Sequence, residues 1–368
     1  MVWLYVGFVS FVLALLVLDL GVFHRKVHVV KLREALTWSA IWISLGVSFS
    51  GLIYLGYEQH WLGLGTTVDT MSTPTVTADG TTVYNDGGSA MLKYLTGFVV
   101  EKSLAVDNIF VIAMIFSFFA VPAVYQHRVL FWGIIGALVM RGAMIAGGAA
   151  LITRFHWIIY VFGGFLILTG LKLLLVNGGE GDLEKNPLVR FARRVLKVTE
   201  HFHGKRFFVR AGSPASHAPA TDGAPVEPDR VVDGARKGAL LATPLFLTLI
   251  LVELTDVIFA VDSIPAIFAI TTDPFLVFTS NIFAILGLRS LYFALAGMID
   301  AFRYLKVSLA VVLVVVGTKM LAHSWLKDWL GSSSNLYILV VIFVILAAGV
   351  VASLVARRRE RDRAAVIG

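Results

Sequence analysis

Residues Glu253–Ile270 read ELTDVIFAVDSIPAIFAI, and residues Glu101–Val111 read EKSLAVDNIFV. Both are apolar stretches interrupted by carboxylates, and they match. Leu104-Ala105-Val106-Asp107-Asn108-Ile109 lines up with Phe259-Ala260-Val261-Asp262-Ser263-Ile264. Six residues before each aspartate stands a second acid, Glu101 or Asp256. The next apolar block of each half carries an arginine within it, Arg141 or Arg289. The block after that carries Gly170-Leu171-Lys172 or Gly317-Thr318-Lys319. Four matched points in one order mark an internal duplication of a three-helix unit.

Outward from this repeat, the chain reads as one dissolved in lipid. Of its 368 residues 58% are hydrophobic and 15% are charged, too little charge to cover a soluble domain. Apolar blocks of roughly 18 or more residues are transmembrane candidates. Nine are expected, near 2–22, 36–56, 91–119, 127–150, 155–176, 238–270, 275–298, 305–324 and 335–356. Met1–Leu20 has no basic residue before it and is read as a retained helix, not a cleaved signal. Basic residues collect at His24, Arg25, Lys26, Lys31 and Arg33, within 177–237 (Arg193, Arg194, Lys205, Arg206), near Arg303 and Lys306, and at Arg357-Arg358-Arg359. The stretch 57–90 has acids (Glu58, Asp69, Asp86) and no Lys or Arg. The positive-inside rule then puts the N-terminus outside and the C-terminus in the cytoplasm, which an odd span count permits.

The expected fold class is therefore an all-α polytopic membrane protein of about nine transmembrane helices with two inverted three-helix repeats (spans 3–5 and 6–8). Span three enters from outside and span six from the cytoplasm, an arrangement that puts a transporter's site at the repeat interface near the midplane. The divisions are 1–56, two helices; 57–90, an external loop; 91–176, the first repeat; 177–237, a cytoplasmic loop; 238–324, the second repeat; 335–368, a last helix with a basic tail. Within 177–237, Pro187–Glu200 reads as amphipathic and Ala211–Pro228 as a flexible linker.

Cysteine is absent, which excludes disulfides, Fe–S clusters, thiolate zinc sites and cysteine nucleophiles. The net charge of +7 follows membrane topology and is not read as nucleic-acid binding. No nucleophile elbow, phosphate loop or dinucleotide fingerprint lies in a suitable context. The expectation is no enzyme and no resident cofactor. Any transport draws on an ion gradient or the membrane potential.

A charge at the bilayer centre costs at least ~2.5–3.5 kcal/mol on insertion scales. Glu101, Asp107, Glu253, Asp256 and Asp262 must therefore line a bundle interior or a wet cavity. In one reading they pair with Lys102, Arg141, Arg289, Lys172 and Lys319 as inert buried salt bridges, which seldom repay their desolvation. In the other they bind cargo. Pro265 lacks an N–H and crowds the Val261 carbonyl. A kink or unwinding is expected there, freeing carbonyls beside Asp262 and Ser263. Asp107 and Asn108 supply the other half of a hard-oxygen cage suited to Mg²⁺, Ca²⁺ or Mn²⁺. Arg141 and Arg289 are read as holding the carboxylates when cation is absent, the alternative being snorkelling. Lys172 and Lys319 fit either role. Asp19 is read as interfacial, His24 and His28 as facing headgroups, and His201 and His203 as ordinary loop histidines. Gly133, Gly136, Gly142, Gly147, Gly148, Gly163, Gly164 and Gly170 are expected to bring spans four and five close.

On Glu101–Val111, Gln126–Arg141 (QHRVLFWGIIGALVMR), Glu253–Ile270, Asp273–Tyr292 (DPFLVFTSNIFAILGLRSLY) and Leu18–His28 (LDLGVFHRKVH), the chain resembles the TerC/Alx family of bacterial membrane proteins, named for tellurium resistance. The likeness covers nearly the whole chain except 57–90, 211–235 and the tail; the 57–90 loop is long for the family. It implies an inner-membrane protein, distant kinship with LysE-type exporters and, for the Alx branch, export of Mn²⁺. The family's acidic positions fall on Glu101, Asp107, Glu253, Asp256 and Asp262. Two other functions stay open: a membrane accessory protein that helps secreted proteins fold or acquire metal, docking them at 177–237, or giving tellurite resistance without transport; and a small-solute exporter. An excess of carboxylates over cations in spans three and six suits a cation better than a zwitterion.

Overall fold

The computed structural model describes residues 2–18, 32–78, 80–155, 157–175, 197–214, 228–295, 304–322 and 334–367. Asp19, His24, His28, most of the Pro187–Glu200 piece and the centre of the expected linker lie outside them. The protein is a mostly helical, multi-pass membrane protein. Its helices are α1 (Val2–Leu18), α2 (Leu32–Glu58), α3 (Gly87–Phe118), α4 (Ala123–Arg154), α5 (Ile158–Leu175), α6 (Arg230–Asp233), α7 (Pro244–Phe268), α8 (Pro274–Ile285), α9 (Leu288–Leu295), α10 (Leu305–Leu321) and α11 (Ser334–Ile367). Among the described residues there are also two short antiparallel strand pairs: β1 (Thr75–Val76) with β2 (Thr82–Val83), and β3 (Phe208–Arg210) with β4 (Leu240–Ala242).

Each of the nine expected apolar blocks holds a helix, the seventh holding α8 and α9 together. Among the described residues, five helices are long and apolar enough to cross a bilayer: α2, α4, α5, α7 and the Leu336–Ser353 part of α11. The α8–α9 pair, bent by 40°, makes a sixth if it is taken as one span; α1 and Val307–Leu321 are apolar but shorter. Helix α3 has the length but carries Lys93, Glu101, Lys102 and Asp107. The sixth block starts later than expected, because 240–242 is strand β4 and α7 begins at Pro244.

The chain forms two compact units. One comprises Met1–Asp107, Met140–Asn177 and Phe259–Gly368, and the other Asn108–Val139 and Gly178–Ile258. In the first, Tyr5, Phe8, Phe49, Tyr94, Phe275, Phe278 and Phe283 form a connected aromatic core, with ring centroids as close as 4.5 Å between Phe49 and Phe283. Helix α8 starts as its sequence directs. Pro274 fits the first turn, and the Asp273 carboxylate accepts from the Phe275 and Leu276 amides at 3.0 and 3.5 Å, satisfying donors that have no helical partner. Every residue from Phe275 to Ile285 is buried. A helix can break at membrane depth only where protein surrounds it, and this one breaks at once: Gly287 takes φ +79°, the left-handed geometry that ends helices. A β-carbon there would lie 2.5 Å from Trp42 Cβ of α2, so the glycine is required twice over.

Helices α5 and α10 pack antiparallel through glycines. A β-carbon on Gly163 would lie 3.2 Å from the Gly317 carbonyl, one on Gly317 would lie 2.8 Å from the Gly163 carbonyl, and one on Gly170 would lie 2.7 Å from the Ala310 carbonyl. The expected partnership of these glycines with span four is thus corrected: Gly163 and Gly170 face α10. On α4, Gly142 faces Phe278, Gly148 faces Phe268, and Gly133 faces Val252; a β-carbon added at Gly147 of α4 or Gly164 of α5 would meet open space. Lipid tails are as apolar as Leu, so such close backbone approach, not burial from water, drives helices together.

In the second unit, β3, β4 and α6 enclose a small core of Val209, Ala211, Val232 and Leu241. Asp229 caps α6 by accepting from the Val231 and Val232 amides at 3.0 and 3.1 Å. Both ends of the expected linker therefore belong to a folded module.

Candidate functional site

Glu101 lies on α3, and its Oε1 accepts from the Arg141 guanidinium of α4; each side chain is 1% exposed. Arg141 also donates to Asn281 Oδ1 of α8 at 2.8 Å. The arginine is committed to protein partners and does not snorkel. Glu101 Oε2 and Asn281 Nδ2 have no hydrogen-bond partner. Further along α3, Asp107 is half-buried, and Asn108 is buried with its Oδ1 unpartnered.

In the matching stretch of α7, Asp262 is half-buried and accepts from Thr169 Oγ1 of α5 at 3.3 Å. The Lys172 charge acts on it too. Ser263 is buried and its hydroxyl is unpartnered. The unwinding expected at Pro265 does not occur, since α7 continues to Phe268. Lying so near the helix end, the proline removes one donor, the one the Val261 carbonyl would otherwise receive, and the turn beyond it closes with the Ala269 amide on the Pro265 carbonyl at 3.0 Å. The break expected there occurs instead after Leu286.

One turn apart on α7, Glu253 and Asp256 are half-buried acids whose like charges act on one another. Gly136 of α4 stands directly against the Glu253 carboxylate, so any side chain there would displace it. Glu253 Oε2 is buried and unpartnered. Gly136 was expected only to pack helices; it makes room for a carboxylate. Among the described residues, no three His, Asp or Glu side chains form a group able to hold a metal.

The counter-charges differ between halves. Arg289 at the head of α9 is buried, as is Arg141. Lys319 is 5% exposed, and the charges of Lys93 and Asp69 act on it, whereas Lys172 is exposed. Lys102 binds no carboxylate among the described residues; its ammonium donates to the Ala284 and Leu286 carbonyls at 3.0 and 3.1 Å.

Sequence reasoning missed a polar centre in the loop read as external. Asp69 is 1% exposed. It accepts from Lys93 Nζ at 2.8 Å, Asn85 Nδ2 at 3.1 Å, Thr271 Oγ1 at 2.6 Å, the Thr272 amide and hydroxyl at 2.9 and 3.1 Å, and the Met71 amide at 3.0 Å. Burial alone would push its carboxyl up, but the Lys93 ammonium and these bonds hold it well below the usual carboxylate range. Nearby, Asp273 accepts from the Tyr57 hydroxyl at 3.0 Å; burial and the Asp69 charge push its carboxyl up to about 6. No local signal marked this centre: 57–90 holds no Lys or Arg, and the cation that pairs with Asp69 comes from α3. His203 Nε2 faces Asp229 Oδ2 at 3.4 Å within the small module, and His201 donates its amide to the same oxygen at 3.1 Å.

These features define a class: a multi-pass helical membrane protein whose helices carry acids met by intramembrane arginine and lysine. The chain belongs to the integral membrane protein TerC family, which it matches over residues 86–361. Its relatives include an uncharacterized membrane protein of Myxococcus xanthus, 47% identical over 96% of this chain and 93% of the relative. They also include a protein of Escherichia coli K12 named Alx and described as a proposed membrane-bound redox modulator, 43% identical over 86% and 84%, and an uncharacterized membrane protein of Rickettsia bellii, 38% identical over 97% and 98%. No solved structure matches the chain.

Proposed function

We propose that the protein exports a divalent metal cation, Mn²⁺ above others, from the cytoplasm across the inner membrane, driven by an ion gradient or the membrane potential. The observation that carries this reading is a set of unpartnered buried oxygens: Glu101 Oε2, Asn108 Oδ1, Glu253 Oε2 and Ser263 Oγ. Each belongs to the duplicated helices, and each is a hard donor of the kind Mn²⁺, Mg²⁺ and Ca²⁺ accept. Buried polar atoms in folded proteins nearly always have partners, and a passing cation would supply one to each of these oxygens. Asp107, Asp256 and Asp262 add carboxylate charge along the same helices. The cation is cargo, held by carboxylate, amide and hydroxyl oxygens in passing.

The inverted repeat has support from α5 and α10. Gly170 corresponds to Gly317 in the duplication, and Gly163 to Ala310. The contacts join Gly163 to Gly317 and Gly170 to Ala310, the reciprocal pattern of a two-fold interface. Nine spans, with the N-terminus outside and the C-terminus in the cytoplasm, accord with that antiparallel relation. With no cysteine, redox modulation of the sort attributed to the Alx relatives has no thiol in this sequence to act through. Altered metal content would connect the two descriptions. A second reading, an accessory protein for secreted partners, draws on the folded module of β3, β4 and α6.

Asp107→Asn and Asp262→Asn separate these readings. Both variants should insert normally and fail to lower manganese in cells loaded with Mn²⁺. Wild-type manganese levels in both would refute export and favour the accessory role.

A further inference from the structure

The break between α8 and α9 leaves carbonyls that an unbroken helix would satisfy: Ala284 would receive the Leu288 amide and Leu286 the Ser290 amide. Gly287, at φ +79° and pressed against Trp42, prevents that continuity. Both carbonyls point instead at one ammonium, Lys102 Nζ, at 3.0 and 3.1 Å. No carboxylate shares it among the described residues. Broken helices in membrane transporters commonly present the carbonyl end of a half-helix to a monovalent cation such as Na⁺. A lysine ammonium offers the same charge and similar bonding to carbonyl oxygens.

We propose that the end of α8 is a monovalent-cation site whose occupant is built in: Lys102 stands where a dehydrated Na⁺ would otherwise bind. The ammonium offsets the partial negative charge at the end of α8 and ties α3 to the break. The inference goes beyond metal export and does not depend on which solute is carried. Its consequence is that the intact protein has no vacancy for Na⁺ at this break, and that shortening Lys102 opens one.

The test uses the full chain in nanodiscs, with thermal midpoints measured in NaCl, KCl and choline chloride at equal ionic strength. Wild-type protein should give one midpoint in all three salts. Lys102→Cys should give a lower midpoint in choline that rises saturably with Na⁺ or K⁺. Because the chain has no other cysteine, an aminoethyl thiosulfonate reagent can rebuild an ammonium at that position. The rebuilt protein should recover the wild-type midpoint and lose its response to salt. Lys102→Met fills the space without charge and should stay low in every salt. A saturable Na⁺ shift of wild-type protein would overturn the proposal, even if neither variant could be purified. So would a Lys102→Cys midpoint equal to wild type in choline, or one that no monovalent cation raises.

Discussion

The two halves of the duplication carry the same charges and use them differently. In the first, one continuous helix, α4, brings Arg141 to Glu101 and Asn281. In the second, the corresponding span is broken, and Arg289 stands just past the break at the head of α9. In the third helix of each half, Lys172 is exposed while Lys319 is buried near Lys93 and Asp69. The repeated sequence pattern sets which residue types these helices carry, while the neighbours decide what each charge does.

The largest expected effect is at Arg141. Arg141→Met leaves Glu101 buried without its cation and should cost about 3–5 kcal/mol, read as lost membrane accumulation and a lower thermal midpoint. Adding Glu101→Gln should recover part of that loss. Equal stability of the single variant and wild type would erase the contrast between a locked first half and a broken second one.

Next is the lysine pair. Lys319→Ala truncates a long buried side chain and should cost on the order of 2–5 kcal/mol, as buried Met→Ala does. Lys172→Ala, at an exposed position, should change stability by no more than about 0.5 kcal/mol. Thermal midpoints of the two variants measure the difference directly, and equal losses would mean that the two lysines share one role.

The smallest effect concerns pH. The Asp273 carboxyl is pushed up to about 6 in the fold, above its ordinary value. It contributes most stability while protonated, below the ordinary carboxylate range. That contribution is lost as pH rises through about 6. Asp69 acts oppositely: held low, it supports the fold above the ordinary range and fails as pH falls. Asp273→Asn should flatten the decline of the midpoint between about pH 4 and about 6, where an ordinary carboxyl has already ionised.

Much of this was legible beforehand, for physical reasons. Long apolar blocks foretold a helix at each of nine places, and the repeated acids do lie within two of those helices, α3 and α7. Glycine at 287 was not distinguished from its neighbours, because LGLR reads as plain apolar helix and the conspicuous Pro265 drew the expected break. What decides the matter is Trp42, more than two hundred residues away in sequence, pressed against that glycine. Asp69 looked like a solvated loop acid, since nothing local says that Lys93, Thr271 and Thr272 will enclose it. Gly136 looked like packing because only the fold sets it against Glu253. Local pattern reveals composition and period; partners distant in sequence come from tertiary structure alone.

Uptake of metal into inside-out membrane vesicles, with Mn²⁺, Ca²⁺, Mg²⁺ and Zn²⁺ offered in turn, tests the central claim most directly. Wild-type vesicles should accumulate Mn²⁺ in preference to the others, and Asp107→Asn and Asp262→Asn vesicles of equal protein content should accumulate none above background. Mn²⁺ uptake unchanged by both substitutions, or no uptake of any of the four metals by the wild type, would contradict it.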